Sequence, residues 1–379
     1  MDLIGKQESK IQLFESYLKS DPANLDLMLE LGDLYHQAGR LADALASFER
    51  ALARAPGTVS ARSRIASVYL TQHRFADAAT VLSALIAAGE SAPALFHNLG
   101  IALFYQDRFA DAAESFAAAG ANNPFNAANF KYLAYALHHE GRLADATDAC
   151  EKWIAAENSP ESLAYLSMLA FDGGKNDVAA SLAQRVLATA PDNADANAIA
   201  GNLAIEEMEM LRAKACFERA LARQPEHGRA WLGLGLVHLH EQHNDLAIAA
   251  IDKAVALMPT HAGTAVTLGW AKAIGQDAKG AEAAFRQAIE ADRGFAEAHG
   301  GLAVALVELD RVAEAKQAIQ IADKLNAANF GSVYAKSLLL KREGKDGLAG
   351  RLISKALDRS IVAGGKPITA YLAALTRRQ

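Results

Sequence analysis

Alanine recurs at a nearly constant spacing through almost the whole of this 379-residue chain. Consecutive members of the series are 34 residues apart, except for one step of 33 residues between Ala146 and Ala179. The series consists of Ala44, Ala78, Ala112, Ala146, Ala179, Ala213, Ala247, Ala281, Ala315 and Ala349. A fixed spacing of this length is typical of repeat proteins, in which each unit stacks only on its neighbours. Chain length therefore gives no estimate of the number of globular domains.

A second series of small residues lies twelve positions before each alanine. It consists of Gly32, Ala66, Gly100, Ala134, Ser167, Gly201, Gly235, Gly269, Ala303 and Ser337. Antiparallel helices approach closely only where side chains are small, so the two series predict one helical hairpin per unit, with small residues facing each other. Glycines mark four turns inside hairpins, at Gly39, Gly141, Gly174 and Gly344, and prolines such as Pro56 and Pro124 end second helices.

The first complete unit starts at Leu25, and its small, aromatic and proline positions resemble the tetratricopeptide repeat family. The matching residues are Met28, Leu31, Gly32, Tyr35, Ala44, Phe48, Ala51 and Pro56. The resemblance implies an all-α, right-handed superhelical solenoid of about ten helix-turn-helix repeats over residues 25–363. Residues 1–24 are expected to form an N-terminal capping helix, and residues 364–379 a C-terminal one, because terminal repeats must cover an apolar face.

The composition favours a folded chain without a general affinity for polyanions. Hydrophobic residues make up 51% and charged residues 22%, and the net charge is −6. No nucleic-acid partner is expected from this charge. The polar N-terminus resembles no signal peptide, and no apolar run is long enough for a transmembrane segment, so we expect a cytoplasmic protein.

The variable positions of the first helices predict a partner-binding surface. In this family the first helix of each hairpin lines the concave groove, and helical periodicity places the variable positions opposite the packing positions. In repeats three to five the candidates are polar or aromatic: His97, Asn98, Tyr105, Lys131, Tyr132, Tyr135, His138, Tyr165, Met168 and Phe171. A more apolar stretch follows with Leu232, Leu236 and Trp270. The alternative for any one of these side chains is packing against the adjacent first helix.

Tyrosine combines a large apolar face with a polar tip, which suits a groove that holds a peptide or a helix of another protein. The function predicted is thus a protein-binding scaffold, adaptor or chaperone. Bacterial members that this chain resembles serve secretion and envelope or appendage assembly. Homo-oligomerisation through the apolar stretch stays open, as does the alternative of a regulatory subunit or a nucleic-acid-binding regulator that uses the same groove.

Enzymatic and metal chemistry find little support in the sequence, so no catalytic residue, cofactor or metal is predicted. The chain has no glycine-rich phosphate loop after a strand and no serine nucleophile elbow. Cys150 and Cys216 lack metal-ligand spacing. His238, His240 and His243 form a cluster, and on one helix His240 and His243 would share a face, but their spacing is one residue short of the HExxH motif.

Overall fold

A computed structural model describes residues 3–122 and 126–362 of the chain. All regular secondary structure in these residues is α-helical, which confirms the all-α fold. The helices are α1 (Leu3–Ser20), α2 (Leu25–Gln37), α3 (Leu41–Arg54), α4 (Val59–Thr71), α5 (Phe75–Ala87), α6 (Pro93–Phe104), α7 (Phe109–Asn122), α8 (Ala127–His139), α9 (Leu143–Ala156), α10 (Pro160–Asp172), α11 (Asn176–Thr189), α12 (Ala194–Glu206), α13 (Met210–Arg223), α14 (Gly228–His240), α15 (Asn244–Leu257), α16 (Ala262–Ile274), α17 (Ala278–Ala291), α18 (Ala296–Glu308), α19 (Val312–Leu325), α20 (Phe330–Arg342) and α21 (Asp346–Val362). Pro124 and the expected closing helix over 364–379 lie outside the described residues.

The chain divides into two compact units, Met1–Gly173 and Gly174–Gln379. In the first unit, α1 packs on α2, the hairpins α2–α3, α4–α5, α6–α7 and α8–α9 follow in order, and α10 packs on α9. In the second unit, α11 packs on α12, and five hairpins run from α12–α13 to α20–α21. None of the helices in the part of the chain described here is long and apolar enough to cross a membrane.

The recurring alanines lie at the points of closest packing. All ten, from Ala44 to Ala349, have no solvent-exposed surface. A larger side chain at these positions would force the two helices of a hairpin apart, because protein interiors have few voids that could receive extra atoms. The period of the alanines in the sequence therefore follows from the contacts between helices.

The glycines of the second series face large residues and not the small residues that the two sequence series predicted. A Cβ atom at Gly32 would lie 2.3 Å from Cε1 of Phe48, a residue of the partner helix in the same hairpin. Phe217 fills two such spaces, one over Gly201 in its own hairpin and one over Gly233 in the next. The missing side chain thus makes room for a buried phenylalanine ring, and the ring of Phe217 packs on both its own hairpin and the next one.

One residue in each hairpin turn has a left-handed backbone. Glycine occupies this position in four turns, at Gly39, Gly141, Gly174 and Gly344, and a larger residue occupies it in six, at His73, Asp107, Met208, Gln242, Gln276 and Asp310. A left-handed conformation costs a non-glycine residue roughly 1–2 kcal/mol, so the helix packing on both sides must impose it. The turn geometry is consequently the same whether or not the sequence marks it with glycine.

The two cysteines are core residues, as their lack of metal-ligand spacing suggested. Cys150 has no exposed surface and Cys216 only 5%, and both are free thiols. Burial raises the pKa of Cys150 to about 12 and also raises that of Cys216.

Because thiolates are the reactive species, we expect neither cysteine of the native chain to be alkylated by iodoacetamide at pH 8, while both are alkylated in denaturant. Mass spectrometry of the treated chain measures this. Rapid labelling of either thiol without denaturant would contradict the burial.

Candidate functional site

Side-chain contacts join the first helices of repeats three, four and five in the first unit. Nδ1 of His97 on α6 lies 3.0 Å from Oδ1 of Asn129 on α8. Nζ of Lys131 on α8 donates a hydrogen bond to Oε1 of Glu161 on α10 over 2.6 Å. Several predicted binding residues therefore also fasten successive repeats to one another.

His138 makes a second connection between α8 and α10. Its Nε2 is 3.0 Å from Oδ2 of Asp172, and its Nδ1 is 3.0 Å from the hydroxyl oxygen of Tyr165. With Nε2 protonated, the imidazole donates to the carboxylate and accepts from the tyrosine. Tyr165 itself is buried, with 9% of its surface exposed, so it supports the surface from beneath.

Tyr132 is the centre of an aromatic cluster that crosses the interface between repeats three and four. Its ring stacks on Phe116 of α7, with the centroids 5.8 Å apart, and meets Phe104 of α6 edge-on at the same distance. Tyr135, one turn further along α8, contacts Tyr132 at 6.1 Å and Tyr165 at 4.5 Å. Aromatic pairs at these separations are stabilising beyond the area that they bury, so the cluster helps to hold repeats three and four together.

Tyr105 lies at the edge of this cluster and is the most exposed of its aromatic residues, with 52% of its surface accessible. Its ring stacks on Phe75 with a centroid distance of 4.7 Å and an interplanar angle of 12°. Burial raises the pKa of Tyr132 to about 12, and a hydrogen bond with Tyr105 adds to the shift. Tyr105 thus contacts Phe75 and Tyr132 while about half of its surface stays exposed to solvent.

The remaining candidates of the first unit border this cluster. Asn98, Met168 and Phe171 are half-buried. Lys131 lies over the ring of Tyr135 at 5.8 Å and over that of Trp153 at 5.5 Å. Its ammonium group is therefore shared between Glu161 and two aromatic rings, which lowers its availability to an anionic ligand.

The three apolar candidates of the second unit are packing residues to different degrees. Leu232 and Leu236 are half-buried against the core cluster of α14, α15 and α16. Trp270 has 3% of its surface exposed and contacts Phe285, Phe330 and Tyr334 at ring distances of 5.5, 6.2 and 6.4 Å. Trp270 therefore packs against neighbouring helices, which was the alternative to partner binding for each candidate side chain.

Asn129, Glu161 and Trp153 were not among the predicted residues, although each contacts one that was. Asn129 also donates to the backbone carbonyl of Phe116 over 2.8 Å and is 1% exposed. A signal for Glu161 exists in the sequence, since it stands 30 residues after Lys131 with the opposite charge. Residues about one repeat apart on first helices lie side by side, so opposite charges at that spacing indicate an inter-repeat ion pair.

The fold defines a helical-hairpin repeat protein. A model described as tetratricopeptide repeat matches residues 11–59, 97–162 and 211–262, and a second model with the same description matches residues 36–99 and 275–337. The chain belongs to the tetratricopeptide repeat family. The spacing that begins at Leu25 predicted this membership, and the comparison confirms it.

Solved structures with the same fold are distant in sequence. A chain of the APC/C hetero-tetramer Cut9-Hcn1 is 18% identical, with a TM-score of 0.52; the match covers 77% of this chain and 58% of that one. Human IFIT1, solved as a dimer with m7Gppp-AAAA, is 14% identical, with a TM-score of 0.51 and coverage of 89% and 90%. This chain thus spans less than two thirds of the Cut9-Hcn1 chain. Among curated proteins, none matches it significantly.

Proposed function

We propose that the chain is a non-enzymatic scaffold that binds a peptide or helical segment of a partner protein across α6 and α8, with Tyr105 as the central contact. The observation that carries the proposal is the exposed ring of Tyr105, held by Phe75 and by Tyr132. A tyrosine that is already ordered loses little side-chain entropy on binding, and such residues are enriched among binding hot spots.

The polar groups around Tyr105 favour a protein ligand. Asn98 on α6, the helix that ends just before Tyr105, offers both a donor and an acceptor, which suits a peptide backbone. Nucleic acid would require unpaired cations, whereas Lys131 is bonded to Glu161 and the chain carries a net charge of −6. Within the class of scaffolds, we propose that the chain is an adaptor or an assembly factor. The bacterial family members that it resembles act in secretion and in envelope or appendage assembly.

The proposal is tested by capture of partners on the purified chain and on Tyr105→Ala. Removal of a preorganised aromatic contact at the centre of an interface costs about 2 kcal/mol or more, so we expect recovery of the specific partner to fall by roughly thirtyfold. The variant should fold normally, because Tyr105 is exposed. Quantitative mass spectrometry of the captured proteins gives the measurement.

Tyr17→Ala is the matched control, since Tyr17 is an exposed tyrosine of the same unit, on α1, with 48% of its surface accessible. It should leave recovery unchanged. Equal recovery by the wild-type chain, Tyr105→Ala and Asn98→Ala would sink the proposal. Capture of RNA that weakens steeply with salt would support the nucleic-acid alternative instead.

A further inference from the structure

The turn between α14 and α15 brings together two histidines and a carboxylate that are separate in the sequence. α14 ends at His240, and the left-handed Gln242, with φ of 63°, reverses the chain. The backbone N–H of His243 then donates to the carbonyl of His238 over 2.9 Å. His243 is thereby folded back beside His238, with Glu241 between them. His240 is the last residue of α14 and His243 precedes α15, so the two do not share a helix face as their spacing would allow on one continuous helix.

The potential ligand atoms of these three residues converge. Nδ1 of His238 and Nδ1 of His243 each lie 3.3 Å from Oε2 of Glu241, and all three ligand atoms are within 4.8 Å of one another. Hydrogen bonds between N–H and oxygen are usually about 2.9–3.0 Å long. Ligand atoms at about 2.0–2.1 Å from a tetrahedral zinc ion are about 3.3 Å apart. The two separations of 3.3 Å match the edge of a zinc tetrahedron better than a strong hydrogen bond.

We propose that His238, Glu241 and His243 form a binding site for a divalent transition-metal ion, with zinc as the best fit. Two imidazoles and one carboxylate are a ligand set that zinc accepts, with water as a fourth ligand. Calcium and magnesium select sites made only of oxygen ligands, which excludes them here. The side chain of His243 is 57% exposed, so it has room to adjust its orientation around an ion.

Lys214 is the group that competes with the metal. Its Nζ lies 3.5 Å from the same Oε2 of Glu241, and its side chain is 32% exposed. In the metal-free chain the ammonium group neutralises the carboxylate. A bound divalent ion replaces that charge, and the flexible lysine side chain moves towards solvent. Removal of the lysine should therefore strengthen metal binding, an effect opposite to that of removing a ligand.

A bound ion would link the last turn of α14 to the first turn of α15. Metal that binds the native hairpin and not the unfolded chain stabilises the native state by mass action. Zinc should accordingly raise the unfolding temperature of the wild-type chain. The same addition should have little effect on a variant that lacks one ligand.

The test is titration of the metal-stripped full-length chain with Zn²⁺ by calorimetry, and with Co²⁺ by visible absorption. We expect one zinc-competable site whose dissociation constant rises at least about tenfold in His243→Gln and in Glu241→Gln, because even indirect supports of metal ligands change affinity by about 10–100-fold. His243 is exposed, so its replacement leaves folding intact. Lys214→Ala should bind several-fold more tightly than the wild-type chain.

The control is His73→Gln, which removes another exposed histidine from a hairpin turn. Among the described residues, His73 belongs to no group of three converging metal-ligating side chains. This variant should bind zinc as the wild-type chain does. Absence of saturable binding by the wild-type chain would overturn the proposal, as would affinities unchanged by both ligand substitutions.

Discussion

Gly331→Ala is expected to unfold the α18–α20 region of the second unit. A Cβ atom at Gly331 would lie 2.6 Å from the carbonyl carbon of Gly300 and 2.7 Å from the backbone nitrogen of Gly301. Backbone atoms of a packed helix cannot move aside as the end of a side chain can, so α20 must separate from α18. We expect a loss of about 3 kcal/mol or more, at the upper end of overpacking effects. Hydrogen exchange of α18 and α20, followed by mass spectrometry, measures it.

Gly350→Ala provides the comparison for this variant. Gly350 is an exposed glycine within α21 of the same unit, and a Cβ atom there would meet nothing within 4 Å. Alanine in an exposed helix is favoured over glycine by roughly 0.5–1 kcal/mol, so this variant should be slightly more stable than the wild-type chain. Equal protection of α18 and α20 in the two variants would show that their backbones do not meet at Gly331.

The repeat period was predictable from the sequence because burial restricts residue size at the same position of every repeat. A residue such as Ala44 is fully enclosed, and the same enclosure recurs in every hairpin, so selection for small volume leaves a regular pattern. Family membership followed from that pattern. The partner of each small position was less predictable, because Gly32 and its neighbour Phe48 lie on different helices and no local rule relates their sizes.

The candidate surface could be predicted only in part. Helical periodicity identifies the positions of a first helix that face away from its own hairpin, and Tyr105 is one residue of this region that is well exposed. Helical periodicity does not show how far the first helices of neighbouring repeats cover one another. Tyr165 and Trp270 are buried for that reason. The sequence singled out His238 and His243, but it paired His243 with His240. The grouping with Glu241 depends on the left-handed backbone of Gln242, a position where the sequence has no glycine.

Glu297 is expected to make the stability of the second unit depend on pH near neutrality. Burial raises the pKa of this carboxyl on α18 to about 7, although the backbone N–H of Gly331 and the side chain of Asn329 donate to it and oppose the shift. The unfolded chain has the ordinary value of 4.5. Between these two values the folded state holds more protons than the unfolded state. The contribution of the protonated Glu297 carboxyl to the free energy of unfolding is therefore complete below about pH 4.5, and it is lost as pH rises through about 7.

The variant that isolates this effect is Glu297→Gln, which keeps the shape of the side chain and cannot ionise. A displacement from 4.5 to about 7 corresponds to about 3 kcal/mol. The free energy of unfolding of the variant, relative to the wild-type chain, should rise by about that amount between pH 4.5 and pH 8, because only the wild-type chain must bury a charge at the higher pH. Urea denaturation at several pH values measures the difference. Glu290→Gln, at an exposed position of α17 in the same unit, should show no such rise, and a flat difference for Glu297→Gln would mean that the carboxylate reaches solvent when it ionises.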